Sequence, residues 1–337
     1  MRKLIWQGNN QFKLELAPDL FESPGDYDVV VKVRAVGICG TDIHILKGAM
    51  SAVKPPMVLG HEIAGEIVQV GRLVSRVNTG DRVTVDAVVG CGVCDLCSQG
   101  RVQFCANTSE FGISRDGGCQ DYLVLPEKNV FRIPDTMSFE EAAILDMEVY
   151  NAVQKCSVKP EESVLVLGAG PIGLIACQVA RIMGAGKVIL RDVLADRLSA
   201  AEAIGMADIY QLAKKEDAVP TPSECDSVDV VIDCAGTEAS TKYAMEIVRP
   251  CGRILLYGVY EHPIESIDLN QLVLKDLIVF GSQSDRTGWE EVIALTTSGA
   301  LNLKSLITHT FPLEDGPRAY ELVSKHESAA IKAVLQL

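Results

Sequence analysis

Cys91, Cys94, Cys97 and Cys105 lie in the single run GCGVCDLCSQGRVQFC. Three of them recur at every third position and the fourth follows eight residues later. No other stretch limits the fold so strongly, because four sulfurs so spaced can surround one tetrahedral Zn²⁺ at about 2.3 Å. All four positions of such a site are filled by protein, so the loop reads as a structural staple. A disulfide pair is the competing reading and requires an oxidising compartment. The opening MRKLIWQGNNQF has no long apolar stretch behind its basic residues and does not read as a secretory signal. Eleven cysteines without such a signal therefore point to the reducing cytoplasm. Six of them, Cys119, Cys156, Cys177, Cys225, Cys234 and Cys251, sit in apolar or strand-like contexts and are expected in the core.

At 337 residues the chain exceeds one ordinary core, and two domains are expected. Apolar residues make up 48% and charged residues 23%, the balance of a soluble globular protein. A formal charge of −14 with no Lys/Arg run argues against nucleic acid and anionic membranes as partners. No segment approaches the roughly 20 continuous apolar residues of a membrane span.

Up to about residue 135 the pattern is β-rich with Gly and Pro turns. Asp28–Ile38, Ile63–Val70, Arg82–Val89 and Tyr122–Leu125 read as short strands of a compact β-barrel-like domain. Ser138 reads as the cap of a helix, with Glu141 as its capping-box partner. Strands then alternate with helices. Ser163–Leu167, Lys187–Leu190, Val228–Ile232, Arg253–Tyr257 and Leu277–Phe280 are the strands, and Leu174–Met183, Ala195–Ile204 and Ser240–Val248 the helices. This order predicts a doubly wound parallel sheet, an α/β architecture. The tail, with helices over Trp289–Thr297 and Pro317–Ser324 and a strand over Ala330–Leu337, is too short for a domain of its own and is expected to rejoin the first. The boundaries drawn are 1–150 with 286–337 for one domain, and 151–285 for the other.

Gly168, Gly170 and Gly173 form GxGxxG between a buried strand and a helix, in the run GAGPIG with Pro171 and Ile172. The first glycine permits the tight turn, the second lets a pyrophosphate approach the backbone, and the third lets helix and strand pack closely. The helix N-terminus offers free N–H groups to phosphates. Asp192, closing the second strand, is placed to accept from ribose hydroxyls, which favours NAD because a 2′-phosphate would be repelled. Arg191 and Arg197 stand close enough in sequence to bind such a phosphate, but packing on the adenine or solvation is the preferred reading for both.

A sparser set of donors lies upstream, in VGICGTDIHILKG and PPMVLGHEIAGEIVQVG. Cys39, His61 and Glu62 supply a thiolate, an imidazole and a carboxylate. Three protein ligands with one position left open is the donor count of a catalytic zinc.

With CGTDIH, GHE, GDRV at Gly80–Val83, the four-cysteine loop, GAGPIG and Asp192 all in order, the chain resembles the zinc-dependent medium-chain alcohol and polyol dehydrogenases, in the sorbitol and threonine dehydrogenase branch. The resemblance covers nearly the whole chain. It implies a GroES-like catalytic domain built from both chain ends and a Rossmann NAD-binding domain between them. It also implies two zinc ions per chain, NAD as cofactor, and a homodimer or homotetramer, with an interface expected near Ile264–Leu272. By motif position Cys39 and His61 become zinc ligands, and Glu62 a ligand or a close neighbour of one. Thr41 would bind the substrate oxygen, His44 pass its proton towards solvent, and Asp42 orient His61.

One departure stands out. Where the family carries a carboxylate near the domain join, this chain reads FEEAAILDMEVYNAV, in which Asp146 or Glu148 could reach the metal. Asp146 is the preferred candidate, with a water as the remaining possibility. Polar residues that could line the cleft are Ser114, Arg115, Asp116, Glu148, Gln283, Asp285 and Arg286, most of them read more readily as loop residues than as contacts. The resemblance implies reversible oxidation of a secondary alcohol in a polyol, cyclitol, sugar acid or amino alcohol. Two rivals are a medium-chain reductase of activated double bonds and a zinc-scaffolded nucleotide-binding protein without dehydrogenase activity.

Overall fold

The computed structural model describes residues 1–18, 24–213, 227–283, 287–325 and 330–337. Cys225, Asp285 and Arg286 lie outside the described residues. The chain divides into two compact units. Met1–Leu145, Gly288–Gly299 and Leu303–Leu337 make the first, and Asp146–Thr287 with Ala300–Asn302 the second.

The first unit is organised on the strand Asp28–Gly37, whose run DVVVKVRAVG is apolar enough to be covered on both faces. Val29, Val30 and Val31 have no exposed surface at all. This strand pairs antiparallel with three others: Glu62–Val70, Tyr122–Pro126 and Lys332–Gln336. The seven-stranded sheet continues through Arg82–Val85 to Val130–Arg132 on one side and to Ile307–Pro312 on the other. Irregularities in the pairing with Glu62–Val70, between Val30 and Val31 and between Val33 and Ala35, bend the central strand. A second sheet of Gln11–Leu16, Arg2–Gly8 and Met57–Val58 carries Leu4 and Trp6 into the same core.

Five of these strands, Arg2–Gly8, Gln11–Leu16, Met57–Val58, Val130–Arg132 and Ile307–Pro312, have no counterpart in the sequence reading. The run expected as one strand over Arg82–Val89 is broken at Asp86. Its side chain accepts the Val88 N–H at 2.9 Å while its own N–H donates to the Asn129 carbonyl, so the chain turns and Val88–Val89 pairs with Ser109–Glu110 instead. Ser138 caps Phe139–Ala143 through the expected capping box with Glu141.

The second unit holds six parallel strands in the order Ile209–Leu212, Lys187–Asp192, Ser163–Leu167, Val228–Asp233, Val248–Leu256, Ile278–Gly281. The order reverses between Ser163–Leu167 and Val228–Asp233. This is the topological switch point at which doubly wound sheets bind dinucleotides. Helices Pro171–Ile182, Ala195–Ala203 and Glu238–Ile247 supply the crossovers. Cys156 and Cys177 are buried here, as is Cys119 in the first unit. Cys251 is not in the core. It is exposed at φ +57°, where the strand kinks to give its N–H to the Lys275 carbonyl.

The first strand is pinned by charge. The Arg2 guanidinium donates from Nη2 and Nε to Asp121 Oδ1, at 2.7 and 3.0 Å, and from Nη1 to Glu314 at 2.6 Å. Burial alone would raise the Asp121 pKa, but the Arg2 contacts outweigh it and hold the carboxyl below its ordinary 3.8. The stabilisation is therefore fully present above that value and is lost as pH falls through the lower folded-state value. Asp121→Asn is expected to cost about 1 kcal/mol at pH 7. Denaturant titrations should show wild type and variant converging as the pH falls through that lowered value; a difference independent of pH would remove the ion pair as its cause.

Candidate metal centre and nucleotide site

Cys39 is the N-cap of the short helix Gly40–Leu46, and Asp42 reaches back to accept the Cys39 N–H at 2.9 Å. That capping interaction fixes the sulfur at the helix entrance, with the Thr41 hydroxyl 3.7 Å away. The other oxygen of Asp42, fully buried, stands 3.6 Å from His61 Nδ1. This is an ion-pair distance rather than a hydrogen bond, and with Nδ1 turned to Asp42 the other ring nitrogen, Nε2, is the one that could bind a metal. His61 and Glu62 follow Gly60 at the start of Glu62–Val70. There Glu62 lies directly across from Gly37 in the register of the sheet. A Cβ on Gly37 would overlap Glu62 Oε2, so only glycine leaves room for the carboxylate.

Ligand atoms of Cys39, His61 and Glu62 all lie within 4.8 Å of one another. Three buried atoms of this neighbourhood, Asp42 Oδ1, His61 Nδ1 and Glu62 Oε2, have no hydrogen-bond partner. Burial by itself would lower the His61 pKa, but Asp42 and the Cys39 sulfur outweigh it and raise it well above 6.5. The pocket thus favours positive charge, and a divalent cation among these donors would replace the imidazole proton. The donor set fits zinc.

Lys332 is the residue the sequence reading missed. It is 6% exposed and donates from Nζ to Glu62 Oε1 at 2.6 Å, across 270 positions of sequence. The available signal was a lysine inside the otherwise apolar terminal run AIKAVLQL.

Asp146 begins the second unit and caps Met147–Lys155, its Oδ1 accepting the Val149 N–H at 3.0 Å. Of the residues expected near a substrate, Ser114 bonds within its own loop to Glu110, Arg115 stacks 4.3 Å over Phe111, and Asp116 accepts the Val58 N–H. Thr41 and His44 are half-buried on one face of the helix beside Cys39.

The four-cysteine loop closes as expected. All four sulfurs lie within 4.8 Å, with Cys91 and Cys97 4.0 Å apart. Four thiolates at the usual zinc distance stand about 3.8 Å from each other. The backbone N–H groups of Val93 and Cys94 lower the Cys91 pKa to about 6. Cys97 is pushed up to about 11: the Gly92 N–H favours its thiolate, but burial and the neighbouring sulfurs prevail. Sulfurs this close cannot all ionise without a cation between them.

In the second unit Gly168 turns at φ +102°, and a Cβ on Gly173 would overlap the Gly168 carbonyl. Gly170 and Pro171 open the helix Pro171–Ile182, which continues through Ile172 and Gly173. Asp192, 8% exposed, accepts the Ala169 N–H at 2.6 Å and the Leu194 N–H at 2.7 Å. One carboxylate therefore sets the shape of the glycine loop and keeps lone pairs for further donors. Arg191 packs 4.3 Å over the Tyr243 ring, and Arg197 is half-buried on Ala195–Ala203.

Three gathered donors able to hold a metal ion and a glycine loop at the switch point of a doubly wound sheet, on one chain, fit the class of metal-dependent dehydrogenases. Residues 25–135 match the alcohol dehydrogenase GroES-like domain and residues 171–298 the zinc-binding dehydrogenase family. The chain is 34% identical over 338 residues to an L-idonate 5-dehydrogenase of Vitis vinifera, covering 96% of this chain and 92% of that one. It is 35% identical over 325 residues to an L-threonine 3-dehydrogenase of Pyrococcus abyssi, covering 93% and 92%. A zinc-binding dehydrogenase structure from Sinorhizobium meliloti 1021 bound to NADP matches with a TM-score of 0.89 and 30% identity, covering 100% of this chain and 99% of that one. The chain belongs to the zinc-dependent medium-chain alcohol and polyol dehydrogenase family.

Asp192→Asn keeps an acceptor for the glycine loop but removes the negative charge. It is expected to narrow the preference for NADH over NADPH about tenfold, a change worth roughly 1.4 kcal/mol. Fluorescence titration with both nucleotides measures this; equal weakening of the two would remove Asp192 from the ribose.

Proposed function

We propose that the protein oxidises a secondary alcohol reversibly to the ketone with NAD. The observation that carries this is the gathering of ligand atoms of Cys39, His61 and Glu62 within 4.8 Å of one another. When bound, zinc supplies Lewis-acid polarisation of the alcohol oxygen and NAD supplies the hydride acceptor. Cys39, His61 and Glu62 hold the metal. Asp42 orients His61 through Nδ1, and Lys332 anchors the Glu62 carboxylate through Oε1. The Thr41 hydroxyl accepts the alcohol proton, and His44, one helical turn on, carries it towards solvent. Gly168, Gly170, Pro171, Ile172 and Gly173 bind the pyrophosphate, with Asp192 on the adenosine ribose and Arg197 nearby. The four-cysteine zinc rigidifies its lobe.

Relatives that act on a sugar acid and on a hydroxy amino acid support a small hydroxylated substrate: a polyol, cyclitol, sugar acid or amino alcohol. The complete donor set disfavours a reductase of activated double bonds. The described cysteines are all free thiols, in keeping with work in the cytoplasm.

Metal analysis beside an NADH-formation screen over these substrate classes tests the proposal. Two zinc ions per chain are expected, and one in either cysteine variant. Cys39→Ser should abolish turnover with little change in Tm, whereas Cys97→Ser should lower the Tm. Turnover retained in Cys39→Ser would sink the catalytic assignment.

A homodimer is the proposed assembly. Ile278–Gly281 is an edge strand of the parallel sheet, with Ile278 52% exposed, and the helix just before it leaves Val273 and Leu274 77% and 82% exposed. Such an edge is a template for pairing. Ile278→Lys with Leu274→Asp is expected to yield monomers in light scattering; an unchanged mass would place the interface elsewhere.

A further inference from the structure

Asp233 ends the fourth strand in sheet order, on the far side of the switch point from Asp192, and has no exposed surface. Its Oδ1 accepts the N–H groups of Ala235 and Gly236, at 3.0 and 3.2 Å. Its Oδ2 accepts the hydroxyls of Ser240 and Thr241, at 2.9 and 3.1 Å. The Asp233 carbonyl takes the N–H groups of Tyr257 and Gly258, at 3.0 and 2.9 Å, from the loop after the next strand. Tyr260 in that same loop returns to Thr241 with a 2.6 Å hydroxyl–hydroxyl bond. The two loops touch through glycine backbones, since a Cβ on Gly236 would stand 2.7 Å from the Gly258 carbonyl carbon. Next to them Cys234 donates to the Leu167 carbonyl, immediately before the glycine loop.

A buried carboxylate is costly to dehydrate, and an apolar residue would fill the sheet end more cheaply if stability were the only demand. Here its donors come from the turn and helix entrance that follow it, and its backbone carbonyl holds the next loop, both at the carboxyl ends of the strands. Dinucleotides cross a doubly wound sheet at this end. With the adenosine half over Asp192 on one side of the switch point, the nicotinamide half must run over the ends of Val228–Asp233 and Val248–Leu256 on the other.

We infer that Asp233 is a positioning residue for the nicotinamide half of the dinucleotide, fixing residues 234–237 and 257–260 as one preformed wall. The inference rests on the dinucleotide reading of the glycine loop. ADP-ribose, which lacks the nicotinamide ring, separates the two.

Asp233→Ala is expected to weaken NADH at least tenfold in fluorescence titration while ADP-ribose affinity by calorimetry stays within twofold. Asp233→Asn should recover most of the NADH affinity, because its Oδ1 can take the two N–H groups and its amide can donate to the two hydroxyls. If Asp233→Ala does not fold, Tyr260→Phe decides, with an expected threefold loss for NADH alone. Equal losses for NADH and ADP-ribose, or unchanged NADH binding, would overturn the assignment. Wild-type protein that binds neither compound would instead overturn the dinucleotide reading.

Discussion

A buried lysine ammonium and a half-buried glutamate carboxylate hold the first unit to one arrangement. Lys332 and Glu62 meet at 2.6 Å on strands that flank Asp28–Gly37 on opposite sides. Gly37 faces Glu62 in the register on one side and Val334 on the other. Slipping Lys332–Gln336 by one residue would turn Lys332 to the other face and strand Glu62 without its partner. An uncompensated buried charge of that kind costs about 3–5 kcal/mol, so the pair selects register more than it adds net stability. Because Glu62 is also one of the three gathered donors, the same constraint ties the last strand of the chain to the donor geometry.

Most of the second unit was legible in the sequence because parallel strands buried on both faces read as short apolar runs and glycine chemistry marks the first turn. The edge strand Ile209–Leu212 was not, since an edge strand need not be uniformly apolar. In the first unit the strands with period-two or continuous apolar patterns were readable. Arg2–Gly8, Gln11–Leu16 and Ile307–Pro312 were not, because their half-exposed patterns depend on partners distant in sequence. The metal donors were legible as residue types. What orients them was only partly so: Asp42 lies three residues from Cys39, whereas Lys332 comes from the far end of the chain. A long-range charge pair leaves no periodicity to detect.

The two cysteine-bearing sites differ in what they ask of the protein. The four-cysteine loop gathers four acidic groups, and its thiols split, one down to about 6 and another up to about 11. Metal resolves that conflict and leaves nothing open. The Cys39 cluster instead carries its charge balance within the protein: His61 stands between Asp42 and Cys39, and Lys332 neutralises Glu62. A site whose ligands are already held by neighbours can keep one coordination position free without losing its shape.

A carboxylate that caps a helix contributes about 1 kcal/mol to it, and Asp146 uses one oxygen in this way on the Val149 N–H. Cys39, His61 and Glu62 all belong to the first unit, and the glycine loop with Asp192 wholly to the second. Each set of groups is therefore shaped within one unit by its own hydrogen bonds, Asp42 on the Cys39 N–H in the first and Asp192 on the Ala169 N–H in the second.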